Sequence, residues 1–209
     1  PASMFESVEY EELEEARVPL EYTEDDQTVR NISAPELKEM VEKLYRAKSR
    51  GGRAKPIFIY GAPGIGKTQI VGQAAQALGV PMINLDLQFM APEDFLGIPK
   101  VVDVDKPEYD EAGKLVSPGS GMTRSNPPML LPRDNGPQGK GGIIFMDEMN
   151  RSNKMVLNSV MQFVQMGRLG EYVLPDKWVI VAAGNRPAEA DVAEFDFALA
   201  DRFTIVNLV

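Results

Sequence analysis

The chain has 209 residues, of which 44% are hydrophobic and 25% charged, a composition expected of a soluble globular fold. It has no cysteine and no histidine, which excludes disulfides, thiol nucleophiles, Ser-His triads and the usual zinc sites, and leaves carboxylates, Lys, Arg, Asn, hydroxyls or a bound metal ion to carry any chemistry. The formal net charge of -9 is concentrated at one end: ten of the 31 acids and only one of the 22 bases, Arg17, lie between Glu6 and Asp26, so the remaining chain is neutral.

In chain order, residues 1-31 are expected to form an acidic arm, read either as a solvated leader or as a docking segment for a basic partner. A neutral body with an acidic arm lacks the basic footprint of a nucleic-acid binder. No apolar run reaches the ~18 residues needed to span a bilayer and no signal-peptide pattern opens the chain, so a cytoplasmic, membrane-free protein is expected. The body begins near Ile32. Ser33-Ala34-Pro35-Glu36 is a capping box, and Leu37, Met40, Val41, Leu44 and Tyr45 follow at helical spacing. Pro56 to Tyr60 is a short apolar run read as a buried strand. After a glycine-rich loop, Ile70, Val71, Ala74, Ala75 and Leu78 mark one face of a helix closed by Gly79. Met82 to Leu87 reads as a second strand.

Regular patterning then weakens, and roughly 97-141 is expected to be an insert. Val101 to Val104 is a candidate strand with Lys114-Leu115-Val116 as its hairpin partner. Gly, Pro and Ser dominate from Ser117 to Gly142. Strand-helix alternation resumes with Ile143 to Met146 and a helical stripe of Val156, Leu157, Val160, Met161 and Val164. Gly167 to Leu174 suggests a short hairpin, Trp178 to Ala183 a fourth strand, Asp191 to Asp201 a helix and Thr204 to Val209 a fifth strand. Unbroken apolar strands alternating with helices predict an α/β fold in which a five-stranded parallel sheet is sandwiched by helices.

Four segments carry chemistry. Gly61-Ala62-Pro63-Gly64-Ile65-Gly66-Lys67-Thr68 matches GxxxxGK[ST] between a strand and a helix, the setting in which that motif cradles phosphate. Glycines let backbone N-H groups turn toward phosphate oxygens, and the helix N-terminus adds its positive end. Lys67 can reach the outer phosphates and Thr68 can offer its hydroxyl to Mg²⁺. The binding segment is taken to run from Gly61 to Gln69. Gly142 to Met146 is an apolar strand that delivers Asp147 and Glu148 to the carboxyl edge of the sheet. Asp147 would hold Mg²⁺, and Glu148 would orient or deprotonate the attacking water. Trp178 to Gly184 ends on Asn185, which either hydrogen-bonds the γ-phosphate or its water or simply closes a turn. Arg202, at the start of the last strand, is poorly placed for its own phosphates. It is either an arginine finger reaching a neighbour's nucleotide or half of a surface ion pair.

In this order and spacing the four elements resemble AAA+ ATPases, with the MoxR-like branch allied to the dynein-related group as the nearer match. The resemblance covers 32-209. Gly61 to Thr68 looks like its Walker A, Phe145 to Arg151 like its Walker B with the following Asn-Arg, Asn185 stands at sensor 1 and Arg202 at the arginine finger. The irregular stretch before Walker B looks like the family's insert, and Gly167 to Leu174 like its hairpin before sensor 1. Two departures stand out. Arg186 intervenes between Asn185 and Pro187 where the family has Asn-Pro, and it is a candidate phosphate or subunit contact. No counterpart of the family's C-terminal lid follows the fifth strand. The resemblance implies a P-loop NTPase core that hydrolyses ATP with Mg²⁺. It further implies a hexameric, chaperone-like remodeller of other proteins, often paired with a von Willebrand factor A domain protein. A nucleic-acid motor or loader on the same core is the alternative, and the charge distribution weighs against it. A non-hydrolysing switch is countered by the presence of Glu148, and GTP by the lack of an Asn-Lys-x-Asp signal.

Overall fold

A computed structural model describes residues 29-106, 108-117, 120-126, 130-133, 136, 141-185 and 202-209. In chain order these form β1 (Arg30–Ile32), α1 (Ala34–Ser49), β2 (Ile57–Tyr60), α2 (Lys67–Leu78), β3 (Met82–Asp86), α3 (Pro92–Leu96), β4 (Ile98–Asp105), β5 (Glu108–Tyr109), β6 (Leu115–Ser117), β7 (Ser120–Asn126), β8 (Gly141–Asp147), α4 (Lys154–Met166), β9 (Arg168–Leu169), β10 (Tyr172–Val173), β11 (Lys177–Gly184) and β12 (Thr204–Leu208). The acidic arm up to residue 28 and the expected helix from Asp191 to Asp201 lie outside the described residues, as do Arg186 and Pro187.

The central sheet has the order β1-β12-β2-β11-β8-β3, with every pair parallel. It therefore has six strands and not five. The added strand uses Arg30 and Asn31, which lie within the expected acidic arm. Arg30 pairs with Val206 and Asn31 with Asn207, and the Asn207 side-chain amide donates to the Asn31 carboxamide oxygen. Three residues with one apolar side chain carry too little periodicity to announce a strand; pairing along β12 makes it one.

The central strands β2, β8 and β11 are buried on both faces. In β8, Ile143 and Phe145 point to the layer of α1 and α2, while Ile144 and Met146 face that of α3 and α4. In β11, Val179, Val181 and Ala183 alternate with Trp178, Ile180 and Ala182 in the same way. This double burial is why the runs read as continuously apolar. At the start of α1, the Glu36 carboxylate accepts from both the backbone N-H and the hydroxyl of Ser33, each at 2.8 Å.

The insert departs from its expected pairing. β4 pairs antiparallel with β7, and Leu115–Ser117 pairs with Glu108–Tyr109. The cause is local. Asp110 accepts from the backbone N-H of Ala112 (3.0 Å) and Lys114 (2.8 Å), closing a tight turn that claims β6 for β5. The partner of β4 must then come from farther along. The return path is anchored by Leu131, fully buried, and by Tyr172, whose hydroxyl donates to the Pro132 carbonyl at 2.6 Å. The short hairpin expected at 167-174 forms as β9 and β10, with Gly167 and Gly170 at positive φ.

Candidate functional site

Because the sheet is parallel, β2, β8 and β11 end at one edge, which brings together the loop that opens at Gly61, the acidic pair Asp147-Glu148 at the end of β8, and Asn185 just after β11. The carboxyl edge of an open α/β sheet is the usual place for a ligand cleft. Here a cleft of about 310 Å³ is lined on one side by Pro63, Gly64, Gly66, Lys67, Thr68 and Gln69, and on the other by Asp147 and Glu148.

The loop after β2 is shaped by its glycines. Gly64 has φ 77° and Gly66 φ 97°, a region that side chains other than glycine rarely occupy. At Gly61 a Cβ would sit 3.2 Å from Ile65 and 3.4 Å from Leu208, so the loop hugs the end of β12. Gly66 caps α2, whose N-terminal amides face the cleft, an arrangement that attracts anions. Lys67, the first residue of α2, is 7% exposed. Its ammonium donates to the Gly61 carbonyl (2.8 Å), the Ala62 carbonyl (3.2 Å) and Asn185 Oδ1 (3.3 Å). Beside it, Thr68 Oγ1 donates to Asp147 Oδ2 at 2.8 Å.

Glu148 is the one non-glycine residue with positive φ among the described residues, at φ 51° and ψ 37°. Such a conformation costs on the order of 1-3 kcal/mol and persists only when neighbours hold it. Its neighbours do: Asn185 Nδ2 donates to Glu148 Oε2 at 2.9 Å and Oε1 at 3.3 Å, and Arg151 Nε lies 3.6 Å from Oε2. Asn185, 1% exposed, thus links the ammonium of Lys67 to the carboxylate of Glu148 through the two ends of one amide. Lys67, Thr68, Asp147 and Glu148, all expected from sequence to share a site, line one cleft, and Asn185, expected with them, is buried behind it in contact with Lys67 and Glu148.

Arg202 does not join them. Thr204 is level with Ile57 in the sheet, and Gly61 lies four residues beyond Ile57. At ~3.3 Å per residue this puts the start of β12 about 13 Å below the phosphate loop. Phe203, 2% exposed and edge-on to Phe58 at 5.8 Å, fixes that position. Sequence reasoning assigned no task to Asn150. It is 3% exposed, and its carboxamide pairs with the backbone of Asn185. The available signal was an amide residue two positions after an acidic pair, with nothing local to say what it would meet.

The residues present fit a magnesium nucleotide. A hydroxyl and a carboxylate oxygen 2.8 Å apart are hard donors at the spacing of neighbouring ligands around a small octahedral cation with bonds of about 2.0-2.1 Å. Among the described residues there is no cluster of three or more acidic groups, so bound phosphates and water would have to complete the ligand set. Also among the described residues, no helix is long and apolar enough to cross a membrane.

Fold and site together define a P-loop NTPase core of the AAA+ type. A family model described as AAA domain (dynein-related subfamily) matches residues 56–203, and the chain belongs to that family of AAA+ ATPases. Among solved structures, a candidate ATPase from Cytophaga hutchinsonii is 20% identical, with a TM-score of 0.48 over 82% of this chain and 46% of that one. A variant of RuvB from Thermotoga maritima is 18% identical, with a TM-score of 0.50 over 84% of this chain and 46% of that one. NtrX from Brucella abortus, solved with ADP, is 16% identical, with a TM-score of 0.48 over 83% of this chain and 34% of that one. The likeness at these identities is one of fold, and the chain spans less than half the length of each of the three. A comparison with curated proteins returned no match.

Proposed function

We propose that this domain binds ATP with Mg²⁺ at Gly61 to Gln69 and hydrolyses it, as the motor core of a MoxR-like, ring-forming remodeller of partner proteins. The observation that carries the reading is the relay from Lys67 through Asn185 to Glu148, lying beside the Thr68–Asp147 pair at one cleft. The loop amides and Lys67 bind the phosphates. Thr68 and Asp147 would hold Mg²⁺, which when bound offsets phosphate charge. Glu148 accepts a proton from a water whose oxygen bonds to the γ-phosphorus, while the bond from that phosphorus to the β,γ-bridging oxygen breaks. Asn185 orients Glu148 and offers its amide to the reacting group. Arg202 completes the pocket of an adjacent subunit, since its own pocket lies across the sheet. That geometry favours a closed homo-oligomer, and the family resemblance favours a hexamer, a cytoplasmic setting and a von Willebrand factor A domain partner.

Glu148→Gln preserves size and hydrogen bonding but removes the proton acceptor. The variant should bind ATP with near wild-type affinity by calorimetry and turn it over at least ~10²-fold more slowly. Hydrolysis at the wild-type rate would remove Glu148 from the mechanism.

A further inference from the structure

We infer that Asn150 is a positioning residue for ATP hydrolysis: its side-chain amide holds the backbone of Asn185, and so aims the Asn185 side chain between Lys67 and Glu148. The inference rests on the functional reading above.

The register between β8 and β11 runs from Gly141↔Lys177 to Met146↔Ala182. Beyond that pair, the chain after β8 turns away through the left-handed Glu148 and a single 3₁₀ turn, Met149–Arg151. Asn185, three residues past Ala182, is left without a backbone partner from β8. Asn150 supplies one. Its Nδ2 donates to the Asn185 carbonyl at 2.8 Å, and its Oδ1 accepts from the Asn185 N-H at 3.3 Å. A carboxamide carries the same donor-acceptor pair as a peptide group, so the side chain acts as one more rung between the two strands.

The surroundings leave this rung little freedom. Asn150 and Asn185 are 3% and 1% exposed, so water cannot easily substitute for either bond. Met149, fully buried, anchors the turn from below. At Gly184 a Cβ would meet Asn150 Oδ1 at 2.6 Å, Asn150 Cγ at 2.8 Å and Phe58 Cζ at 2.9 Å, so the approach depends on a glycine there. The result is a closed loop of contacts. Asn150 grips the backbone of Asn185, the Asn185 side chain grips Glu148, and Glu148 is two residues from Asn150 in the chain. Asn150 does not itself line the cleft; it acts through Asn185.

The test uses the full chain and two readouts. In nucleotide-free wild-type protein, NMR should find the Asn185 backbone amide protected from hydrogen exchange, and Asn150→Ala should remove that protection. The Asn150→Ala variant should lose about tenfold or more in kcat, with nucleotide Kd changed less than about threefold. In an Asn185→Ala background the same substitution should lower kcat no further, because its effect passes through the side chain already removed. Asn150→Asp keeps an acceptor for the Asn185 N-H at unchanged size and guards against misfolding of the alanine variant. It should retain the amide protection and show an intermediate kcat. The inference is overturned if the Asn185 amide exchanges freely in the wild type, if the Asn150 and Asn185 effects multiply, or if Asn150→Asp turns over at the wild-type rate. A wild-type chain that binds no nucleotide would overturn the functional reading while leaving the exchange measurement able to judge the rung.

Discussion

The two edges of the central sheet are held together by different forces. At the carboxyl edge the side chains are polar and interlocked: Lys67, Thr68, Asp147, Glu148 and Asn185 are joined by hydrogen bonds of 2.8 to 3.3 Å. At the amino edge, closure is by packing. A Cβ on Gly142 would come within 2.6 Å of both the Pro81 carbonyl and the Trp178 ring, and Trp178 is 1% exposed. Polar groups in a cleft can exchange protein partners for ligand ones at little net cost, because a hydrogen bond replaces a hydrogen bond. Close-packed apolar groups have no such exchange available, since any displacement loses contacts outright. Chemistry and stability are thereby assigned to opposite ends of the same strands.

The sharpest way to break this contrast is at Lys67. Lys67→Ala should take ATP binding below detection in a calorimeter while far-UV circular dichroism stays unchanged. Retained affinity would mean that the loop binds phosphate without its ammonium.

Arg202 is the amino-edge residue expected to break the pattern by serving chemistry. In a ring-forming preparation Arg202→Ala should bind ATP normally and lose about 10³-fold in turnover. Mixing it with Lys67→Ala, each inactive alone, should restore part of the activity, because an intact pocket then meets an intact finger on the adjacent subunit. No recovery despite demonstrated co-assembly would return Arg202 to a structural role and leave Arg151 and Arg186 as candidates.

For the packed edge, Gly142→Ala should lower stability by about 1-3 kcal/mol in a denaturation curve, with kcat per folded molecule unchanged. A fall in kcat without a fall in stability would show that the two ends are not separable. The smallest effect is expected at the start of α1. Hydrogen bonds from the Ser33 backbone and hydroxyl, together with nearby Arg30, hold the Glu36 carboxyl below its ordinary range. A carboxyl lowered in the folded state stabilises above its unfolded pKa, and that contribution is lost as pH falls through the folded value. Glu36→Gln should therefore lower Tm slightly near pH 7, and the difference should vanish in acid. A difference that persists in acid would assign the effect to shape and not to charge.

The sequence alone determined what is local. Gly61 to Thr68 is legible because its chemistry lies in one turn of backbone between a strand and a helix. Asp147 and Glu148 are legible because an apolar run must end at a sheet edge. The apolar strands β2, β8 and β11 announced burial on both faces. Only the tertiary structure decided which distant groups meet. Thr68 and Asp147 are 79 positions apart and Lys67 and Asn185 are 118 apart, so no pattern along the chain encodes their contact. The same holds for Arg30 and Asn31, which become a strand only beside β12, and for β4, whose partner was settled by the turn at Asp110. Asn150 is the clearest case: its residue type promises a hydrogen-bonding amide, and only the place where β8 and β11 part company makes that amide a rung. Periodicity reports which face of an element is buried, because that depends on one chain's own geometry; pairing and convergence depend on the free energy of the whole assembly of elements.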